Sequence, residues 1–157
     1  MTPETEKAIH AAQGYLELGM PEETLAELAE ISPQERSETE VLEVEIIALL
    51  NQKRWLEALG VSRDLCENEP TRASGFINAA YCLHESGSTK EAQEFLLNGP
   101  ESLRKEATFF YNLGCYAARL DDLPEAQQLL AKAFEMDERL RVVAKDDPDL
   151  AALRATF

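Results

Sequence analysis

Basic side chains are scarce in this sequence: 15 Lys and Arg stand against 30 Asp and Glu, for a net charge of −15. A chain so charged repels a phosphate backbone or an anionic bilayer, so neither nucleic acid nor a membrane surface is its expected partner. Gly and Pro are few, at seven each, and 45% of residues are hydrophobic, which argues against wholesale disorder. The opening MTPETEKAIH has no leader-like apolar stretch, and no run reaches the length of a membrane span. Cys66, Cys82 and Cys115 are odd in number and lack CxxC spacing, so reduced thiols in a cytoplasmic protein are expected.

Catalytic and metal-ligating patterns are missing as well. No phosphate-cradling Gly loop and no Ser–His–Asp order is visible. His10 and His84 have no partner at ligand spacing. Asp146, Asp147 and Asp149 lack the turn Gly and closing Glu of a calcium loop and read as a helix cap. Asp121 and Asp122 read the same way. No catalytic residue, metal or cofactor is therefore expected, and the chain reads as a non-enzyme.

What is present is a repeat. FINAA at 76–80 returns as FYNLG at 110–114, 34 residues on, and the EA pairs at 57–58, 91–92 and 125–126 keep the same step. The period sets Ala12, Ile46, Ala80 and Gly114 in one small or medium column, and Thr24, Ala58, Ala92 and Ala126 in another. Units near 5–38, 39–72, 73–106 and 107–140 follow, each split mid-way by turn residues as in LELGMPEE, ESGSTKEA and RLDDLPEA. Apolar residues recur at helical spacing within each half. Small residues such as Gly114 and Ala126 let the paired helices approach closely. The remainder, 141–157, is expected to cap the stack. Asp147–Pro148 starts a helix there, and Val142, Val143, Leu150 and Leu153 cover the fourth unit.

With its 34-residue period and its aromatic…LG…A…F pattern over 110–138, the sequence resembles the tetratricopeptide repeat (TPR) family. Four positions depart from it: Glu45 and Ser62 stand where large apolar residues are usual, and Thr24 and Gly99 where Ala is. The resemblance implies an all-α, right-handed α-solenoid of about four helix–turn–helix repeats with a C-terminal capping helix, as a single domain. It implies, too, a concave groove lined by the first helices. The groove columns carried over are Ile9, Gln13, Leu16, Glu43, Ile47, Leu50, Ile77, Tyr81, His84, Tyr111, Cys115 and Arg119.

Family members that clamp a terminal carboxylate use Lys and Asn at groove columns. Here Ile9, Gln13, Thr108 and Asn112 stand at those columns and only Asn78 is clamp-like, so an acidic tail is not the expected ligand. Residues 1–51 hold 12 acidic side chains against Lys7 and Arg36, which accounts for −10 of the −15. That third either draws a basic partner or is simply a solvated face. The implied function is a non-catalytic protein-interaction module or scaffold for a peptide or helix with apolar anchors and basic flanks. Two alternatives stand beside it. One is a small acidic chaperone resembling those that escort secretion-system translocators. The other is self-assembly through the stack's ends, with Ile9 and Phe157 expected to be exposed.

Overall fold

A computed structural model describes residues 1–157, and all of its regular structure is helical. The chain divides into two compact units, Met1–Pro70 and Thr71–Phe157.

The first unit holds α1 (Pro3–Glu17), α2 (Pro21–Ala29), α3 (Thr39–Asn51) and α4 (Trp55–Asn68). Thr2 starts α1: its hydroxyl accepts the Thr5 amide, and Pro3 takes the first helical position, where no N–H is needed. Ile9, Ala12, Leu28, Ile31, Val41 and Val44 form one buried cluster, and Leu42, Ile46 and Leu65 a second. Ser32 and Pro33 follow the early end of α2, and Arg36 reaches back to its terminus. The guanidinium donates from Nη2 to the Ala29 carbonyl at 2.6 Å and from Nε to Ile31 at 3.3 Å, satisfying acceptors the helix leaves open.

The sequence departures in this unit have local explanations. Thr24 is fully buried, but its hydroxyl donates to Met20 O at 2.9 Å and lies 3.3 Å from Ala12 O, joining α2 to α1. Ser62 is equally buried and donates to Ala58 O at 2.7 Å. Neither hydroxyl is left unpaired, so neither carries the penalty of a buried orphan. Glu45 remains half-buried, and burial pushes its carboxyl above the ordinary range.

The second unit contains α5 (Ala73–Glu85), α6 (Thr89–Leu97), a 3-10 turn (Glu101–Lys105), α7 (Ala107–Arg119), α8 (Leu123–Met136), α9 (Arg139–Asp146) and a closing 3-10 segment (Pro148–Thr156). Its tightest crossing is α7 on α8, where Gly114, Ala117, Ala126 and Ala133 are all buried and Leu130 of α8 packs on Gly114 of α7. Gly99, just past the end of α6, leaves room for its neighbour: a Cβ there would collide with Leu103, the fully buried anchor of the 3-10 turn.

All four turns inside helix pairs use a residue of positive φ: Gly19 (71°), Lys53 (55°), Gly87 (94°) and Asp121 (64°). The left-handed step lets each chain reverse, and only the two glycines adopt it without a Cβ penalty.

The cap differs from expectation. Val142 and Val143 are 66% and 54% exposed, and α9 buries only Ala144. Leu150 and Leu153 do the covering, because the Asp147–Pro148 break turns the chain back onto α7. Ile9 is buried in the first cluster, so it offers no sticky end, and Phe157 stacks edge-on against Phe134 at 5.6 Å. No helix is long and apolar enough to cross a membrane.

Candidate functional site

In the first unit the groove columns fall on α1 and α3. Ile9 belongs to the core, Leu16 and Leu50 are half-buried against the two apolar clusters, and Glu43 is half-buried. Gln13 is exposed, and Ile47 is 43% exposed. Glu43, Ile47 and Leu50 are spaced i, i+4, i+7, which puts them on one helix face.

In the second unit the structure brings four of the six together. Tyr81, His84, Tyr111 and Cys115 line one cavity of about 380 Å³, completed by Glu85, Asn112, Tyr116 and the Asp147–Pro148–Asp149 turn. Ile77 is half-buried outside it, and Arg119 is exposed at its edge.

This cavity is closed on one side by the chain's own C-terminal turn. The Tyr111 hydroxyl donates to Asp147 Oδ2 at 2.6 Å, and the Cys115 thiol approaches the same oxygen at 3.6 Å. Asp147 Oδ1 meanwhile accepts the Asp149 amide at 3.0 Å, so one carboxylate caps its 3-10 segment and ties it to α7. His84 Nε2 lies 2.7 Å from Asp149 Oδ2, and its Nδ1 lies 2.9 Å from the Thr89 hydroxyl. Arg119 Nε stands 3.7 Å from the other Asp149 oxygen.

Burial, reinforced by the Asp147 hydrogen bond, pushes the Tyr111 hydroxyl well above the ordinary tyrosine range. Burial likewise raises the Cys115 thiol, and the Asp147 and Asp149 charges raise it further. Cys66 and Cys82 are both pushed up to about 11 by burial. All three cysteines are unpaired, and at neutral pH they are thiols rather than nucleophilic thiolates. Tyr116 is buried, its hydroxyl has no partner within the protein, and its ring packs 4.8 Å from that of His84.

Sequence reasoning missed Glu85, Tyr116 and the inward role of Asp147 and Asp149. His84 and Asp149 are 65 residues apart, and Tyr111 and Asp147 are 36 apart. No local motif links them.

Among solved structures, this chain is similar to a MamA fragment, residues 41 to the end, from Desulfovibrio magneticus RS-1. The TM-score is 0.74 at 24% identity, over 99% of this chain and 93% of that one. A double mutant of MamA from RS-1 gives the same values. MamA from MSR-1 matches with a TM-score of 0.70 at 18% identity, over 87% of this chain and 78% of that one. The fold is that of a TPR solenoid. No family model and no curated protein matches the sequence.

Seen as TPR columns, the two units present different surfaces. In the first unit Ile47 is exposed on α3, within the most acidic stretch of the chain, residues 1–51. In the second unit His84 of α5 and Tyr111 and Cys115 of α7 are engaged by Asp147 and Asp149.

Proposed function

We propose that this chain is a non-catalytic protein-interaction module whose partner docks on the first helices of the first unit. One observation carries the reading: Ile47, a large apolar side chain, is 43% exposed on the groove face of α3, in a stretch of net charge −10. An exposed aliphatic anchor within an acidic stretch suits a helix or extended peptide with apolar anchors and basic flanks. The half-buried Leu16 and Leu50 and the polar Gln13 and Glu43 share the groove columns of α1 and α3 that the TPR resemblance implies. The TPR-solenoid fold supports this, because stacked helix pairs present extended concave binding surfaces. So do the thiols, which fit a cytoplasmic setting. The similar structures are MamA rather than secretion-system chaperones, so the narrower chaperone reading is not favoured. Micromolar affinity, about −8 kcal/mol, is usual for a module of this kind.

Affinity capture from the native host, comparing wild type with Ile47→Asp and Tyr81→Ala, tests the assignment. A partner kept by wild type and Tyr81→Ala, lost with Ile47→Asp and released by moderate salt is the expected result. Retention by Ile47→Asp would overturn it. Recovery of the bait alone would favour self-assembly.

A further inference from the structure

We propose that the cavity between α5, α7 and the Asp147–Asp149 turn is a binding site for a divalent transition-metal ion of the zinc type. The ion takes Cys115, Asp147 and Asp149 as ligands, and His84, which contacts Asp149 but lies outside that trio, completes the set by a side-chain shift toward it. The donor atoms of Cys115, Asp147 and Asp149 all lie within 4.8 Å of one another, and so do those of His84, Glu85 and Asp149. Asp149 belongs to both groups. Zinc bonds of about 2.0–2.3 Å to N, O and S imply ligand–ligand separations of about 3.3–3.8 Å in a tetrahedron. The Cys115–Asp147 separation of 3.6 Å is already in that range. His84 and Asp149, at 2.7 Å, need to part by roughly an ångström or less to admit the ion between them.

The supporting groups are those a metal site needs. Tyr111 holds Asp147 by its hydroxyl, and Arg119 Nε lies 3.7 Å from Asp149 Oδ1, the oxygen not paired with His84. Thr89 fixes the His84 ring from Nδ1. A threonine hydroxyl both donates and accepts, so it supports the tautomer with a free Nε2 lone pair as well as its opposite.

A second, independent feature points into the same space. Tyr116 is 1% exposed and lines the cavity, yet its hydroxyl has no partner in the protein. Buried hydroxyls are ordinarily satisfied, and a water carried on the ion would satisfy this one. The choice of ligand follows from the donor set. Two carboxylates alone would serve an ammonium or guanidinium group or calcium, none of which uses sulfur. A thiol, an imidazole and two carboxylates together match the mixed N, O and S preference of Zn2+ and Co2+.

The test titrates the full chain with Zn2+ against a chromophoric chelator, and with Co2+ followed by absorption. The proposal expects one saturable Zn2+ per chain. With Co2+ it expects tetrahedral d–d bands and a sulfur-to-cobalt charge-transfer band that is absent from Cys115→Ser. Asp149→Asn should weaken Zn2+ at least tenfold and Thr89→Val about 10–100-fold, while Cys66→Ser leaves binding unchanged. Circular dichroism checks that each variant is folded. No saturable Zn2+ site in wild type, or Co2+ binding without the thiolate band, would overturn the proposal whatever the variants do. Equal Zn2+ affinity in folded Asp149→Asn and wild type would also overturn it. None of these readouts depends on the α1–α3 face, so this site and the docking face stand or fall separately.

Discussion

A Cβ added to Gly114 would lie 2.8 Å from Cγ and 2.9 Å from Cδ2 of Leu130, closer than carbon atoms approach without displacement. The missing side chain on α7 is thus the space that Leu130 of α8 fills. Glycine in a helix interior forfeits up to about 1 kcal/mol relative to alanine, and this position keeps it because the crossing has no room for a methyl group.

Gly114→Ala and Gly60→Ala should therefore change stability in opposite directions. Overpacking costs about 1–3 kcal/mol, which exceeds the helix-propensity gain, so Gly114→Ala lowers the unfolding midpoint. Gly60 in α4 has no atom within 4 Å of an added Cβ, and alanine there gains about 0.5–1 kcal/mol. Urea denaturation of both variants checks the contrast. Equal shifts of the same sign would refute the packing account.

The left-handed turn residues give a second pair. Gly87 at φ 94° has open space around it, so Gly87→Ala is penalised by the backbone alone, by about 1 kcal/mol. Lys53 at φ 55° already bears that strain, and Lys53→Gly should raise stability by about 0.5–1 kcal/mol after the added freedom of the unfolded chain is counted. Thermal melting of the two variants reads both effects.

Removing only the oxygen of Tyr111 should loosen the C-terminal turn. Its hydroxyl donates to an ionised carboxylate at 2.6 Å, a bond worth about 1.5–3 kcal/mol. Tyr111→Phe should lower the midpoint by that order and speed hydrogen exchange in 147–157. Tyr81→Ala, half-buried and outside that bond, should leave 147–157 protected.

Acid should release the N-terminus of α1 through Glu35. Its carboxylate accepts from the Thr5 hydroxyl, from the Thr2 hydroxyl at 2.9 Å and from the Thr2 amide at 2.5 Å. These bonds, Thr5 first, hold its pKa below the ordinary 4.5. A carboxyl lowered in the folded state stabilises above its unfolded pKa, and that contribution disappears as pH falls through the folded value. Wild type should melt higher than Glu35→Gln at pH 7, and the difference should shrink steadily below about pH 4.5. A gap independent of pH would refute this role for the Glu35 charge.

The sequence by itself determined the helix pairs and their turns. The period, the small columns at Gly114 and Ala126 and the breakers at Gly19, Gly87 and Pro124 are local signals, because helix formation and reversal depend on neighbours a few residues away. It also showed the Asp147–Pro148 start of the last segment, since capping is a two-residue event. Where that segment then goes was decided by tertiary structure alone. Leu150 and Leu153 find cover on α7 while Val142 and Val143 stay in solvent, and nothing in the alternation of residues 141–157 separates the two pairs. The same holds for the cavity: His84, Cys115 and Asp149 lie on three elements far apart in sequence, and only the fold-back of the chain's end brings their donor atoms together. Spacing along a chain reports which face a residue shares with its neighbours, whereas a site assembled from remote segments exists only once their packing has fixed the distances.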